Sequence, residues 1–263
     1  MYERNGAKPG LIPVFSRSTI QSNPTPTQYQ RTGITDQNAL FMSAQESNNT
    51  YPENTPAPQA AQHSQEQDRF YDAIDRERLA KSLSSTHPIE LEIGSGKGLF
   101  LIRTASENPD RTYIGMELAT KYAREAQEKL DKAQITNAVF LACDAVAVLA
   151  NDIPDSSVAA VHVYFPDPWW KSKHKKRRVL SDETIVNIER VLKPGGELHF
   201  WTDVLDYYEI AIPRIVELTK LQGPKYVPEP PALHAMDFRT HFERRTRLNG
   251  LPVYRSKFIR STS

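Results

Sequence analysis

From Ile89 onward the sequence alternates short apolar runs with longer amphipathic stretches, and this alternation restricts the fold more than any other feature. Ile89–Ile93, Thr112–Met116, Ala138–Leu141, Val158–Phe165 and Glu197–Thr202 read as strands. Leu99–Glu107, Tyr122–Ala133, Ala145–Ala150 and Asp182–Leu192 read as the helices between them. Phe70–Leu83 precedes the first strand as a helix, and Tyr207–Leu221 follows the fifth. Asp182–Leu192 shows the logic, because Ile185, Ile188 and Leu192 recur at helical spacing on one face. Strands joined through helices require right-handed crossovers. The expected fold is therefore α/β, a doubly wound and mostly parallel sheet with helices on both faces. Lys193-Pro-Gly-Gly196 reads as a turn, and Arg239–Phe258 as one helix followed by a strand returning to the sheet edge.

The first 66 residues have a different character. Of these, 27 are Ser, Thr, Asn or Gln and 7 are Pro. Such a stretch cannot bury enough apolar area to offset its ordering entropy. Residues 1–66 are expected to be a disordered, low-complexity tail, and 67–263 a single domain with one substantial core. Hydrophobic residues make up 39% of the chain, below the usual share, which agrees with an unfolded portion. The lone cysteine, Cys143, excludes an internal disulfide framework and a multi-thiolate metal site. The seven histidines are scattered, so no metal site is expected. No apolar run approaches the roughly 18 residues of a membrane span, and Met1–Gly6 lacks the layout of a signal peptide. A soluble, cytoplasmic protein with no membrane partner is expected.

The first strand ends in Gly94-Ser-Gly96-Lys-Gly98, which opens a helix. Glycines there allow a tight turn and a close backbone approach to a ligand, although a purely structural turn has the same composition. A dinucleotide loop requires G-x-G-x-x-G, but position 99 is Leu. Glu92, just before the loop, would repel a pyrophosphate. S-adenosylmethionine carries ammonium and sulfonium charges and no phosphate, so an acidic, glycine-lined pocket suits it. Glu117 closes the second strand, where a carboxylate can accept both ribose hydroxyls. Asp144 follows the third, where it can cap the next helix, accept from an adenine amino group, or both.

After the fourth strand comes Phe165-Pro-Asp-Pro-Trp-Trp-Lys171. Pro166 and Pro168 stiffen the loop around Asp167, and Trp169 and Trp170 offer flat faces for a base. Lys171, Lys173, Lys175, Lys176, Arg177 and Arg178 then place six positive charges in eight residues. A solvated face or an import signal has the same composition, but beside an aromatic loop the run points to RNA phosphates. The chain's net charge is only +1, so basic charge is concentrated locally.

Taken in order, Leu91–Gly98, Gly115–Glu117, Cys143–Ala145, Phe165–Lys171 with its basic tail, Thr202-Asp203 and Arg239–Glu243 resemble the bacterial tRNA (guanine-N7)-methyltransferases. The resemblance covers roughly residues 68–260. It implies a Rossmann-like methyltransferase sheet and methyl transfer from S-adenosylmethionine to N7 of the variable-loop guanine, position 46, of tRNA. Carried over by position, Glu92, Glu117, Asp144 and Asp167 match cofactor contacts, alongside Gly94, Gly96 and Gly98. Asp167 also matches the proposed catalytic residue. Lys171, Asp203, Thr240, His241, Phe242 and Glu243 match substrate contacts. The chain departs from the family at Trp170, at His241 and in its long N-terminal segment. The resemblance is compatible with a monomer or a homodimer. Two rival readings share the fold: an exocyclic-amine methyltransferase and a non-catalytic RNA-binding module. The order Pro-Asp-Pro-Trp disfavours the first, and the intact acidic series disfavours the second.

Overall fold

The computed structural model describes residues 72–168, 179–229, 231–232 and 238–262. The expected N-terminal tail, Trp169, Trp170 and the basic run Lys171–Arg178 lie outside the described residues. The chain divides at Ala57, and the fold belongs to the unit that starts at Pro58.

Helix α1 (Ala73–Leu83) leads into β1 (Ile89–Ile93), α2 (Leu99–Glu107), β2 (Thr112–Glu117), α3 (Thr120–Lys132) and β3 (Ala138–Ala142). There follow α4 (Ala145–Asn151), β4 (Val158–Tyr164), α5 (Asp182–Val191), β5 (Leu192–Thr202) and α6 (Leu205–Leu218). The chain ends with β6 (Gln222–Tyr226), α7 (His241–Leu248) and β7 (Tyr254–Ile259). The sheet order is β3-β2-β1-β4-β5-β7-β6. The pairs β3–β2, β2–β1, β1–β4 and β4–β5 are parallel, and β7 runs antiparallel to both β5 and β6. The strand order reverses between β1 and β4. An open α/β sheet leaves a crevice at that point, outside the carboxyl ends of its strands.

Each face of the sheet carries its own core. Leu91 and Ile93 of β1 pack with Leu79, Leu149, Ile185, Ile188 and Ile215 on one side. Phe100, Leu101, Ala126 and Leu130 of α2 and α3 pack with Tyr113, Phe140 and Trp201 on the other. Side chains of a strand alternate between faces, so Glu90 and Glu92 project to the side opposite Leu91 and Ile93. There Glu90 Oε2 meets His162 Nε2 at 2.8 Å, and His162 Nδ1 meets the Tyr164 hydroxyl at 2.9 Å. The Glu90 carboxyl lies below its ordinary value, because the His162 and Arg111 contacts outweigh its burial.

The structure differs from the sequence expectation in three places. β4 stops at Tyr164, and Phe165 turns at φ 50 instead of extending the strand. β5 begins at Leu192 and shifts register across the expected turn, with Val158 facing Leu192 but Ala160 facing Glu197. The returning strand β7 does not form the edge. β6, which no apolar pattern announced, adds outside it.

Candidate active site at the carboxyl ends of the strands

The glycine loop is fixed from below by the neighbouring strand. Gly94 N–H donates to the Met116 carbonyl at 2.8 Å, and Ser95 N–H donates to the same oxygen at 3.1 Å. Gly94 (φ 75) and Gly96 (φ 53) occupy the left-handed region, and a Cβ at either would meet nothing within 4 Å. Their open side is the space a close-lying ligand needs. Gly98 serves packing instead: its absent Cβ would sit 2.5 Å from Phe140 Cζ and 2.9 Å from Ala126 Cβ.

Two carboxylates converge on this loop. Glu117 accepts Gly96 N–H on Oε2 and Ala119 N–H on Oε1, each at 2.8 Å. Each oxygen can accept a further hydrogen, so the ribose role expected for Glu117 stays open. Glu92 is 3% exposed, and its Oε2 is buried with no partner among the described residues. Burial, reinforced by the nearby Glu117 charge, holds the Glu92 carboxyl well above its ordinary value. A buried, partnerless carboxylate costs free energy unless something cationic or hydrogen-donating meets it. Ser95 Oγ, also buried and without a partner among the described residues, lies in the same loop.

Asp144 stands at the start of α4. Its Oδ1 accepts Val146 N–H at 2.9 Å and Ala147 N–H at 3.5 Å, so the helix cap is realised. Oδ2 takes part in neither bond and can accept a further hydrogen. Asp167 follows β4. It reaches solvent, yet desolvation by the surrounding protein raises its carboxyl above the ordinary value. Phe165, at positive φ, donates its N–H to the Trp201 carbonyl at 2.8 Å. A bulky residue in that region is strained, and here the strain re-aims the chain into Pro166-Asp167-Pro168.

The opposite wall is α7. Phe242 is 48% exposed and stacks on Phe165 at 6.2 Å between centroids, with 17° between the rings. Asp203, at the end of β5, accepts from Thr246 Oγ1 at 2.9 Å. Thr240 caps α7 by accepting Glu243 N–H at 3.0 Å. Glu243 is 1% exposed and accepts from Arg239 N–H at 2.7 Å and Arg255 at 3.0 Å, and pairs with Arg247 at 3.3 Å. Placed so, Glu243 faces inward and positions the 240–243 segment, whereas Phe242 and His241 face outward. Sequence reasoning missed Phe165 and Arg239. Arg239 spans the rings of Phe100 (5.7 Å) and Trp201 (5.1 Å) and donates to the Tyr164 hydroxyl at 3.4 Å. A residue before proline is pushed toward extended backbone, so the Phe-Pro bond gave no signal for the positive φ of Phe165.

Residues 86–256 match a family model described as "Putative methyltransferase". A tRNA (guanine-N(7)-)-methyltransferase of Rhodopirellula baltica is 49% identical over 177 residues, covering 64% of this chain and 64% of that protein. One from Histophilus somni is 33% identical over 183 residues, covering 67% and 70%. The chain belongs to the tRNA (guanine-N7)-methyltransferase family. The match spans just under two thirds of the length of the Rhodopirellula relative. Among solved structures, the 16S rRNA methyltransferase KamB aligns with a TM-score of 0.51 at 21% identity, covering 73% of this chain and 94% of that one. A 16S rRNA (adenine(1408)-N(1))-methyltransferase from Catenulisporales acidiphilia gives 0.51 at 16%, covering 72% and 93%. At these identities the likeness establishes the fold. In this family member Glu92 and Glu117 meet at the glycine loop, while Asp144 and Asp167 follow the carboxyl ends of β3 and β4.

Proposed function

We propose that this chain transfers methyl from S-adenosylmethionine to N7 of the variable-loop guanine, position 46, of tRNA. Residues 67–263 form the catalytic domain, and a cytoplasmic setting follows from a tRNA substrate. Among the described residues no helix is long and apolar enough to cross a membrane. The observation that carries the reading is the buried, partnerless Glu92 Oε2 beside an open glycine loop and a second carboxylate. That donor set fits S-adenosylmethionine, which is cationic and rich in hydrogen-bond donors. Glu92 and Glu117 hold its polar ends, Asp144 takes the adenine amino group, and Gly94 and Gly96 leave room along the backbone.

When bound, S-adenosylmethionine supplies an electrophilic methyl group. Guanine N7 presents a free lone pair and no proton, so the site needs no strong general base. The protein contributes orientation above all, which alone can lower a barrier by several kcal/mol. Asp167, held between two prolines, faces the positive charge that develops on the methylated ring or accepts from the guanine N1–H edge. Phe242 and Phe165 offer an aromatic wall for the extruded base, and stacking offsets part of the few kcal/mol that extrusion costs. Lys171 and Asp203 contact the substrate, with Lys173, Lys175, Lys176, Arg177 and Arg178 on tRNA phosphates. Thr240 and Glu243 shape the α7 wall from which His241 and Phe242 project.

The test is transfer of labelled methyl to unmodified tRNA with the product nucleoside identified. Label in 7-methylguanosine, lost when the variable-loop guanine is replaced, is the expected result. Label on another nitrogen moves the reading to an exocyclic-amine methyltransferase. Full activity in Asp167→Asn removes the carboxylate role.

A further inference from the structure

Arg78, Arg111, Arg124, Arg214, Arg247 and Arg255 each hold a carboxylate within 3.1 Å. Lys97, Lys129 and Arg244 are among the cations without one: within the described residues, none of the three has an acidic oxygen within the 4.0 Å of an ion pair. They come from three separate elements, the glycine loop, α3 and α7. All three are exposed. Lys129 Nζ donates to the Lys97 carbonyl at 3.0 Å, which draws α3 onto the loop, and Lys97 Nζ lies 5.5 Å from the centre of the Tyr122 ring. The acids of α3 around Lys129 are engaged elsewhere: Glu125 with Lys121 (3.9 Å), Glu128 with Lys132 (3.7 Å), and Asp131 accepting from Gln127 at 2.9 Å. His241, on α7, feels all three charges. Its pKa is lowered first by desolvation, then by the charges of Lys129, Lys97 and Arg244 together.

Like charges gathered on three elements repel one another and oppose folding. They are useful only to an anion that meets all of them. The cluster borders the proposed site directly, because Phe242 follows His241 and stacks on Phe165, two residues before Asp167. The carboxylates of Glu92 in β1 and Glu117 in β2 thus lie against the inner side of the glycine loop, while Lys97 on that loop is exposed. A cationic cofactor and an anionic polymer would be received on opposite sides of one turn.

We propose that Lys97, Lys129 and Arg244 form a phosphate-binding surface at the mouth of the active site, engaging the RNA backbone beside the nucleotide to be methylated. It acts in addition to the run Lys171–Arg178, and it rests on the RNA substrate proposed above. An acidic protein is the other polyanion that such charge suits. RNA is favoured because the adjacent wall offers stacked aromatic rings rather than an apolar groove.

The test compares wild-type protein with a Lys129→Gln/Arg244→Gln double variant. Filter binding of unmodified tRNA across a potassium chloride series gives the salt slope, and calorimetry gives S-adenosylmethionine affinity. Losing two phosphate contacts should flatten the slope of log affinity against log salt by about 1.5 to 2, with cofactor affinity within about twofold. An unchanged slope overturns the surface, as does a parallel loss of cofactor binding. An unchanged slope with lost binding of a polyglutamate peptide gives the surface to an acidic protein instead. The 7-methylguanosine product of the wild type is scored separately. Steep tRNA binding without that product refutes the proposed reaction, while a flattened slope in the variant still supports the surface.

Discussion

Replacing Glu92 by Gln should make the protein without cofactor more stable and its cofactor binding weaker. In the fold the Glu92 carboxylate is 3% exposed, has one oxygen without a partner, and feels the Glu117 charge. Leaving a buried polar group unsatisfied costs about 1–3 kcal/mol. A neutral amide of the same shape should recover about 1–2 kcal/mol of that at neutral pH. For a domain of this size the gain raises Tm by roughly 2–8 °C. Against the cofactor, the variant loses a hydrogen bond to a charged group, worth about 1.5–3 kcal/mol, or about 10- to 150-fold in Kd.

The pH dependence has a definite sign. The folded pKa of Glu92 is raised above the ordinary 4.5, so above that pH the folded state holds more proton than the unfolded chain. Its contribution to stability is therefore greatest in acid and falls as pH rises from 4.5 toward the raised value, by at most about 1.4 kcal/mol per pH unit. A cationic ligand drives the proton off, so cofactor binding releases protons and tightens as pH rises. Thermal unfolding of both proteins between pH 5 and 8, with calorimetry in buffers of different ionisation enthalpy, reads all of this. A Glu92→Gln protein less stable than wild type, or one that keeps the wild-type pH slope and Kd, would refute the account of Glu92 as a strained receptor.

Gly98→Ala should destabilise by about 2–4 kcal/mol, from a left-handed φ plus a Cβ driven into Phe140, and Gly94→Ala by only about 1–2. Urea unfolding separates the two, and equal costs would contradict the packing role of Gly98. Glu243→Gln should cost about 2–3 kcal/mol, because Arg255 loses a buried charge partner while Glu229 still serves it. The check is chemical denaturation, and a neutral effect would show that α7 is held by something else. The Cys143 thiol, fully buried and pushed far above its ordinary pKa by desolvation, should resist iodoacetamide until the domain unfolds. Mass spectrometry of native and urea-treated protein decides that, and rapid native labelling would count against the packed core around β3.

The central strands were legible in the sequence because they are buried on both faces, so their apolar runs are continuous and end in recognisable turns. β6 was not, for the opposite reason. All five of its residues are exposed, it contains Gly223 and Pro224, and among the described residues its one sheet neighbour is β7. No side-chain pattern announces a strand whose stabilisation comes from main-chain bonds. Gly223 is readable only in the fold, where its Cβ would lie 2.5 Å from Phe258 Cδ1. Adding β6 outside β7 is what moves β7 in from the edge.

The site divides along a similar line. The placement of Glu92, Glu117, Asp144 and Asp167 at strand ends was legible because a strand end fixes where the following residue must lie. Direction was not legible on α7, where a helical residue points inward or outward according to its packing. Thr240 and Glu243 spend their polar groups on holding the helix, and Asp203 grips it from β5 through Thr246. This leaves His241 and Phe242 on the exposed face of α7, with Phe242 against Phe165. Helix α7 is thus fixed by buried charge pairs and caps more than by apolar burial. Changes at Glu243 should therefore reach the substrate through the placement of Phe242, altering the fit of the base while leaving cofactor affinity near wild type.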